Sequence, residues 1–222
     1  MDAELIARFK KYFFGLIEPA IYDTLAMLAA TMVLAILFGF LISVVLATTR
    51  PGGLKPNRAV YSVLNFLVNF IRSFPIMILI VALLPVTRAV MGTTMGIRGA
   101  VFPLTVAATP FMARIFENAM VEVDPQLIEA ARSFGASNLQ IIFRVMLKEA
   151  VPSIVSGTTL ATVTYLSATT IAGAIGAGGL GSIAMNYGYH RFDDMVLYTG
   201  VVILCILVQL IQLIGNQLYK RL

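Results

Sequence analysis

The chain has 222 residues, of which 59% are hydrophobic and 12% charged, and a formal net charge of +5. That is more apolar side chain than a soluble fold of this length can hide, so a soluble globular domain is excluded and the chain sits in lipid. Its apolar residues run in continuous blocks rather than alternating, which excludes a β-barrel and leaves an all-α integral membrane protein.

In residues 1–20, Leu5, Ile6, Phe9, Tyr12, Phe13, Leu16 and Ile17 recur at helical spacing, with Arg8, Lys10 and Lys11 on the other side. This reads as an amphipathic tail lying in the membrane interface, or as a solubilising extension. Residues 21–222 read as a single transmembrane domain. A helix needs about 20 apolar residues to cross a hydrocarbon core of roughly 30 Å. Five blocks meet that length, at about 25–48, 61–84, 99–121, 153–175 and 196–214. The first is longer than a signal-peptide core and lies behind the tail, so it reads as a retained span.

Orientation follows the Lys and Arg of the short loops. With the C-terminus cytoplasmic, that side collects Arg50, Lys55, Arg58, Arg132, Arg144, Lys148, Lys220 and Arg221, against Arg88, Arg98 and Arg191 opposite. Five spans then place the N-terminus outside, against the charge of Arg8, Lys10 and Lys11.

Two arginines fall inside predicted spans, where a central Arg costs at least about 2.5–3.5 kcal/mol. Arg72 precedes Ser73 and Pro75, and Pro75 should bend the second span. Arg72 has no local acidic partner, and its readings are gating, helix packing or contact with a cargo carboxylate. Arg114 has Glu117 three residues on, the spacing of a structural ion pair.

Residues 122–152 are patterned unlike the other connections. Asp124 N-caps a helix with Pro125 at its first position; Leu127, Ile128, Ala131 and Phe134 mark an apolar side, and Gly135 stops it. Ser137 caps a second helix bearing Leu139, Ile142, Phe143 and Met146, and Pro152 stands at the entrance to the fourth span. Such a helix-turn-helix must be hidden against the chain's own spans or against a partner, and residue types alone leave both open. Glu129 can accept charge-assisted hydrogen bonds from another chain, while Ala130 and Ala131 permit close approach.

In the fourth span Ala168, Thr169, Thr170 and Ala172 are compatible with a path lined by small side chains, and Ile171 is a further pathway candidate. Beyond it, Gly176-Ala177-Gly178-Gly179-Leu180-Gly181 satisfies a G-x-G-x-x-G pattern by letter. A dinucleotide site would need a preceding strand and a soluble βαβ unit, so the run reads instead as an external loop for close backbone approach, or as a connector. No phosphate-loop pattern occurs, so any ATP must be handled by another chain. Cys205 is the only cysteine, His190 the only histidine, and neither has a metal or catalytic constellation around it.

The run Glu129-Ala130-Ala131 with Arg132, Phe134 and Gly135 resembles the EAA loop of bacterial binding-protein-dependent ABC importer permeases, the helix that fits a groove on the ATPase subunit. It departs from the usual hydrophobic-x-Leu-Pro ending, since Lys148 follows Val145-Met146-Leu147. The stretches Asn69-Phe70-Ile71-Arg72-Ser73-Phe74-Pro75, Pro110-Phe111-Met112-Ala113-Arg114 and Gly173 to Gly181 look like the methionine importer subgroup, as do Thr49-Arg50-Pro51-Gly52 and Gly92-Thr93-Thr94-Met95-Gly96.

This resemblance implies five transmembrane helices with a cytoplasmic coupling helix-turn-helix in the bacterial inner membrane. It implies a second copy of the chain, two ATPase subunits that use ATP and Mg, an extracytoplasmic substrate-binding lipoprotein, and no nucleic acid. Methionine, D- or L-, is the implied cargo, with another small amino acid as the alternative and a secondary transporter as the more distant one. The chain itself is then non-catalytic and holds no cofactor.

Overall fold

The computed structural model describes residues 2–222. Helix α1 (Asp2–Tyr12) passes through one wide π turn, Phe13–Ile17, into α2 (Glu18–Thr49). One helical run, Ile6–Thr49, is therefore 44 residues long. At 1.5 Å per residue it measures about 66 Å, twice the hydrocarbon thickness. The predicted span at 25–48 is its C-terminal part, and the predicted tail continues into it without leaving the helix.

The second predicted span is not one helix. It divides into α3 (Arg58–Arg72) and α4 (Ile76–Ala82), followed by α5 (Leu84–Met91). Asn57 starts α3 by accepting a hydrogen bond from the Val60 N–H. Pro75, which has no N–H and disfavours helical geometry at Phe74, makes the interruption a break rather than the expected bend.

Helix α6 (Gly96–Val121) leads to α7 (Pro125–Ser133) and α8 (Asn138–Ile141). From α8 the chain runs through a π turn, Ile142–Met146, straight into α9 (Leu147–Ala172), and the whole run Asn138–Ala177 spans 40 residues. The second helix of the patterned connection is thus the first turns of the fourth spanning helix. Lys148 stands within that helix, so no turn forms where the family's usual ending departs, and Pro152 lies inside α9 rather than at its entrance. A further π turn, Gly173–Ala177, precedes α10 (Gly179–Ile183), the turn Ala184–Tyr189 and α11 (Asp194–Lys220). Among the described residues four helices are long and apolar enough to cross a membrane, and five if the broken pair α3 and α4 counts as one. Among the described residues there is no strand.

The chain forms two compact units, each drawn from distant segments. One takes the chain up to Val33 with Pro75–Val106 and Thr162–Gln212. Its buried centre is Ile17, Ala20, Leu180, Ile183 and Val196, with Tyr12, Phe13, Leu16 and Tyr187 packed around them. The N-terminal helix therefore belongs to this core, because Ile17 and Ala20 point into it. The Arg8 guanidinium adds an ion pair to Asp193 at 2.8 Å.

The other unit takes Leu34–Phe74, Ala107–Ala161 and the chain from Leu213. Met112, Phe116, Ile141 and Met146 are buried, and Phe40 meets Phe116 edge-on. Close helix packing here uses missing side chains. A Cβ on Gly39 would lie 2.7 Å from that of Met112, and one on Gly157 2.5 Å from the Ile115 side chain.

Candidate functional site

Helix α7 is built as its sequence dictates. The Asp124 carboxylate accepts the Gln126 N–H at 2.8 Å and Pro125 opens the helix. Gly135, at φ +77°, ends it in the left-handed conformation that a side chain resists. Ser137 then caps α8, and Gln140 reaches back to the Ser137 N–H at 2.8 Å, a capping box that fixes the turn from both sides.

The helix so fixed is scarcely covered by its own chain. None of its residues is buried. Glu129, Ala130, Arg132 and Gly135 are exposed and Ala131 is half-buried. Phe134 is 91% exposed, and Leu127, Leu139 and Phe143 also stand open. Water disfavours such a group of apolar side chains at the end of a helical hairpin, and contact with another surface offsets that cost. Of the predicted apolar side only Ile128 and Ala131 turn inward, and Phe134 leaves it because it is the cap residue.

Behind α7 lies an open recess of about 140 Å³ lined by Arg50, Leu54, Met120, Ile128 and Glu129 among others. Arg132 reaches across to the Leu54 carbonyl at 3.4 Å. The turn after α2, residues 50–57, therefore buttresses α7. No local pattern signals this contact, since Leu54 and Arg132 lie 78 residues apart in the chain.

In the same unit, Arg114 donates to Glu117 at 2.6 Å, to Asn69 at 3.1 Å and also to Asn65. The predicted ion pair is present, and it ties α6 to α3. The two asparagines were missed. Their i, i+4 placement in an otherwise apolar block was the available signal, since a polar stripe on a membrane helix needs a partner. Arg72 has a different environment: it is exposed, and its guanidinium lies 5.8 Å from the centre of the Phe111 ring. Ser73 and Pro75 are exposed beside it, and the Ser73 hydroxyl donates to the Asn69 carbonyl at 2.9 Å.

In the first unit, Ala168 and Thr169 are buried within a single copy, and Ile171 is half-buried. Thr169 donates to the Leu166 carbonyl at 2.6 Å. The glycine run closes a tight hairpin between α9 and α10. Gly176, Gly178 and Gly179 have φ of +106°, +87° and +74°. A Cβ on Gly181 would sit 2.1 Å from the Thr170 carbonyl oxygen. The Leu180 N–H is satisfied by the Thr24 hydroxyl at 2.9 Å, an interaction across 156 residues that no local pattern signals.

Burial pulls the Asp193 carboxyl up, but hydrogen bonds from Arg8 and the Val196 N–H outweigh it and hold the group below the usual aspartate range. Among the described residues no three of His, Cys, Asp and Glu gather where they could hold a metal ion.

A family profile described as the binding-protein-dependent transport system inner membrane component matches residues 39–222. The chain is 43% identical over 206 residues to the probable D-methionine transport system permease protein MetI of Vibrio cholerae, covering 93% of this chain and 92% of that one. It is 42% identical over 168 residues to the methionine import system permease protein MetP of Bacillus subtilis, covering 76% of each. In structure it matches a chain of the MetNI methionine ABC transporter, solved in inward-facing conformations. That match has a TM-score of 0.92 at 39% identity over 94% of this chain and 97% of that one. A chain of an amino acid ABC transporter solved with histidines shares the fold, at a TM-score of 0.79 and 17% identity over 98% and 97% of the two chains.

Proposed function

Because the chain belongs to the binding-protein-dependent transport system inner membrane components, we propose that it is the non-catalytic permease of an ATP-driven methionine importer, worked from outside its own fold. The observation that carries this reading is α7: a helix capped at both ends, with no buried residue and with Phe134 and Leu127 turned outward. A rigid, uncovered helix of this kind is what a separate ATPase can hold and move.

Glu129 supplies the charge that a basic groove would grip, Ala130 and Ala131 the close approach, and the Asp124 cap with the Ser137 capping box the stiffness that transmits displacement. Arg132, bonded to the Leu54 carbonyl, passes the load to the turn after α2. Two copies of the chain with two ATPases form the working assembly. ATP and Mg are bound by those partners, α7 faces the cytoplasm, and an extracytoplasmic binding protein delivers cargo on the opposite side. The C-terminus is cytoplasmic, and the N-terminus lies across the membrane from it.

Methionine as cargo is supported by the functions given to the relatives in Vibrio cholerae and Bacillus subtilis. Closure of the ATPases on ATP draws the two α7 helices together and opens the path outward; release reverses it.

The test is ATP-dependent uptake of labelled methionine into proteoliposomes holding the permease, its ATPase and its binding protein, beside a Glu129→Ala form. Uptake should fall by about tenfold or more, as expected for loss of a charged interfacial contact. Insertion and melting temperature should not change. Wild-type uptake by the Glu129→Ala form would remove α7 from the coupling role. Absence of methionine uptake alongside import of another amino acid would correct the cargo alone.

A further inference from the structure

The five apolar blocks contain only three charged residues: Arg72, Arg114 and Glu117. Glu117 is committed to Arg114, which also bonds Asn65 and Asn69, so that pair is neutral and both terminal nitrogens of the guanidinium are engaged. Arg72 is left alone. Among the described residues it has no ion pair and no hydrogen bond, only the face of Phe111. A second copy cannot neutralise it from within the blocks, because its one carboxylate there is likewise taken.

Arg72 is the last residue of α3, 14 residues after Arg58, or about 21 Å along the axis at 1.5 Å per residue. If Arg58 marks the interface, the guanidinium lies deep in the hydrocarbon region, beyond the reach of headgroup phosphates. The carbonyls at the α3 C-terminus favour a cation, and the ring of Phe111 does so too. Each is weaker than the cost of a central Arg in lipid.

The backbone beside it points the same way. Ser73, Phe74 and Pro75 form a non-helical break inside a spanning segment, and all three are exposed. Lipid does not tolerate open backbone, so a break at this depth must be covered by protein or bathed in water. An exposed guanidinium, an exposed break and the hydroxyl of Ser73 share one place, and the position is short of one negative charge.

We propose that Arg72 is the carboxylate-binding group of a cargo site inside the membrane, with the Ser73–Pro75 break forming the wall of a water-filled path. The assignment rests on the import reading above. The ligand class is an amino acid with a free α-carboxylate, held by the guanidinium fork as cargo passes α3. Arg114, its charge neutralised by Glu117 and both terminal nitrogens engaged, positions α3 and does not take part in binding.

The test uses the full transporter with Cys205→Ala, so that Ser73→Cys is the permease's only thiol, and labelling is read on the permease band. A charged, membrane-impermeant thiol reagent should label Ser73→Cys. Methionine should slow the labelling, methioninamide should not, and adding Arg72→Gln should abolish the protection. In proteoliposomes Arg72→Gln should lower uptake about tenfold, as for one lost charge-assisted contact, while ATP hydrolysis stimulated by the binding protein persists. Arg72→Lys should recover part of the uptake.

A thiol that never labels, equal protection by the amide, or normal uptake with Arg72→Gln would each overturn the proposal. If the wild type imports a different amino acid, the cargo reading fails. The same protection experiment, run with that amino acid and its amide, then decides on Arg72.

Discussion

Two turns in this molecule are both made by glycine, and they serve opposite ends. At α7, Gly135 bends the chain into a space where a Cβ would meet nothing within 4 Å. In the α9–α10 hairpin, Gly181 has Thr170 backbone against it and the neighbouring Leu180 is 1% exposed. The first glycine is needed for its backbone angle alone and the second for the absence of a side chain. A turn that must present a helix outward leaves its surroundings empty; a turn that must hold a core together fills them.

The same substitution at both places separates these requirements. Gly181→Val puts carbon 2.1 Å from a carbonyl oxygen that belongs to a helix and cannot step aside. A loss of at least about 3 kcal/mol follows, or failure to fold. Expression level and detergent melting temperature check this, and a Gly181→Val form that melts like the wild type would show the hairpin to be loose. Gly135→Val meets no clash. Its cost is the left-handed angle for a branched residue, about 1–2 kcal/mol, so the protein should insert and melt only slightly lower. Uptake should nevertheless uncouple from ATP hydrolysis, because the end of α7 is displaced. Coupled uptake in that form would mean that the turn's geometry is unimportant to the partner.

How much of each turn was legible differs for the same reason. Asp124, Pro125, Ser137 and Gly135 act on neighbours two or three residues away, so the sequence displays α7 almost completely. The hairpin depends on Thr24, which meets Leu180 only after the chain has folded. The glycines there announce close approach but not the surface approached. Arg114 shows both situations at once: Glu117, three residues on, was legible, while Asn65 and Asn69 come from another helix. The merger of the second amphipathic helix with the fourth span escaped notice because Pro152 reads as a boundary in a soluble chain. A membrane helix keeps it. Family membership bears out the transporter reading and does not favour a secondary transporter.

The smallest effect expected lies at the edge of the hairpin's unit, where Arg8 ties the N-terminal helix to Asp193. The Asp193 carboxyl titrates below its ordinary value of 3.8 in the folded protein. A group whose folded value is depressed adds stability above its unfolded value and loses it as the pH falls through the folded one. Near neutral pH the pair therefore contributes fully, and below about pH 4 the contribution fades. Because the Arg8 side chain is 56% exposed, solvent and salt screen the attraction. The buried contacts of Ile17 and Ala20 still hold the helix in place. Asp193→Asn should lower the melting temperature less than either glycine variant, and the difference from the wild type should shrink at high salt and vanish at low pH. A difference that persists at low pH would show that the charge of Asp193 is not what ties the helix there, since an asparagine still accepts the Val196 N–H.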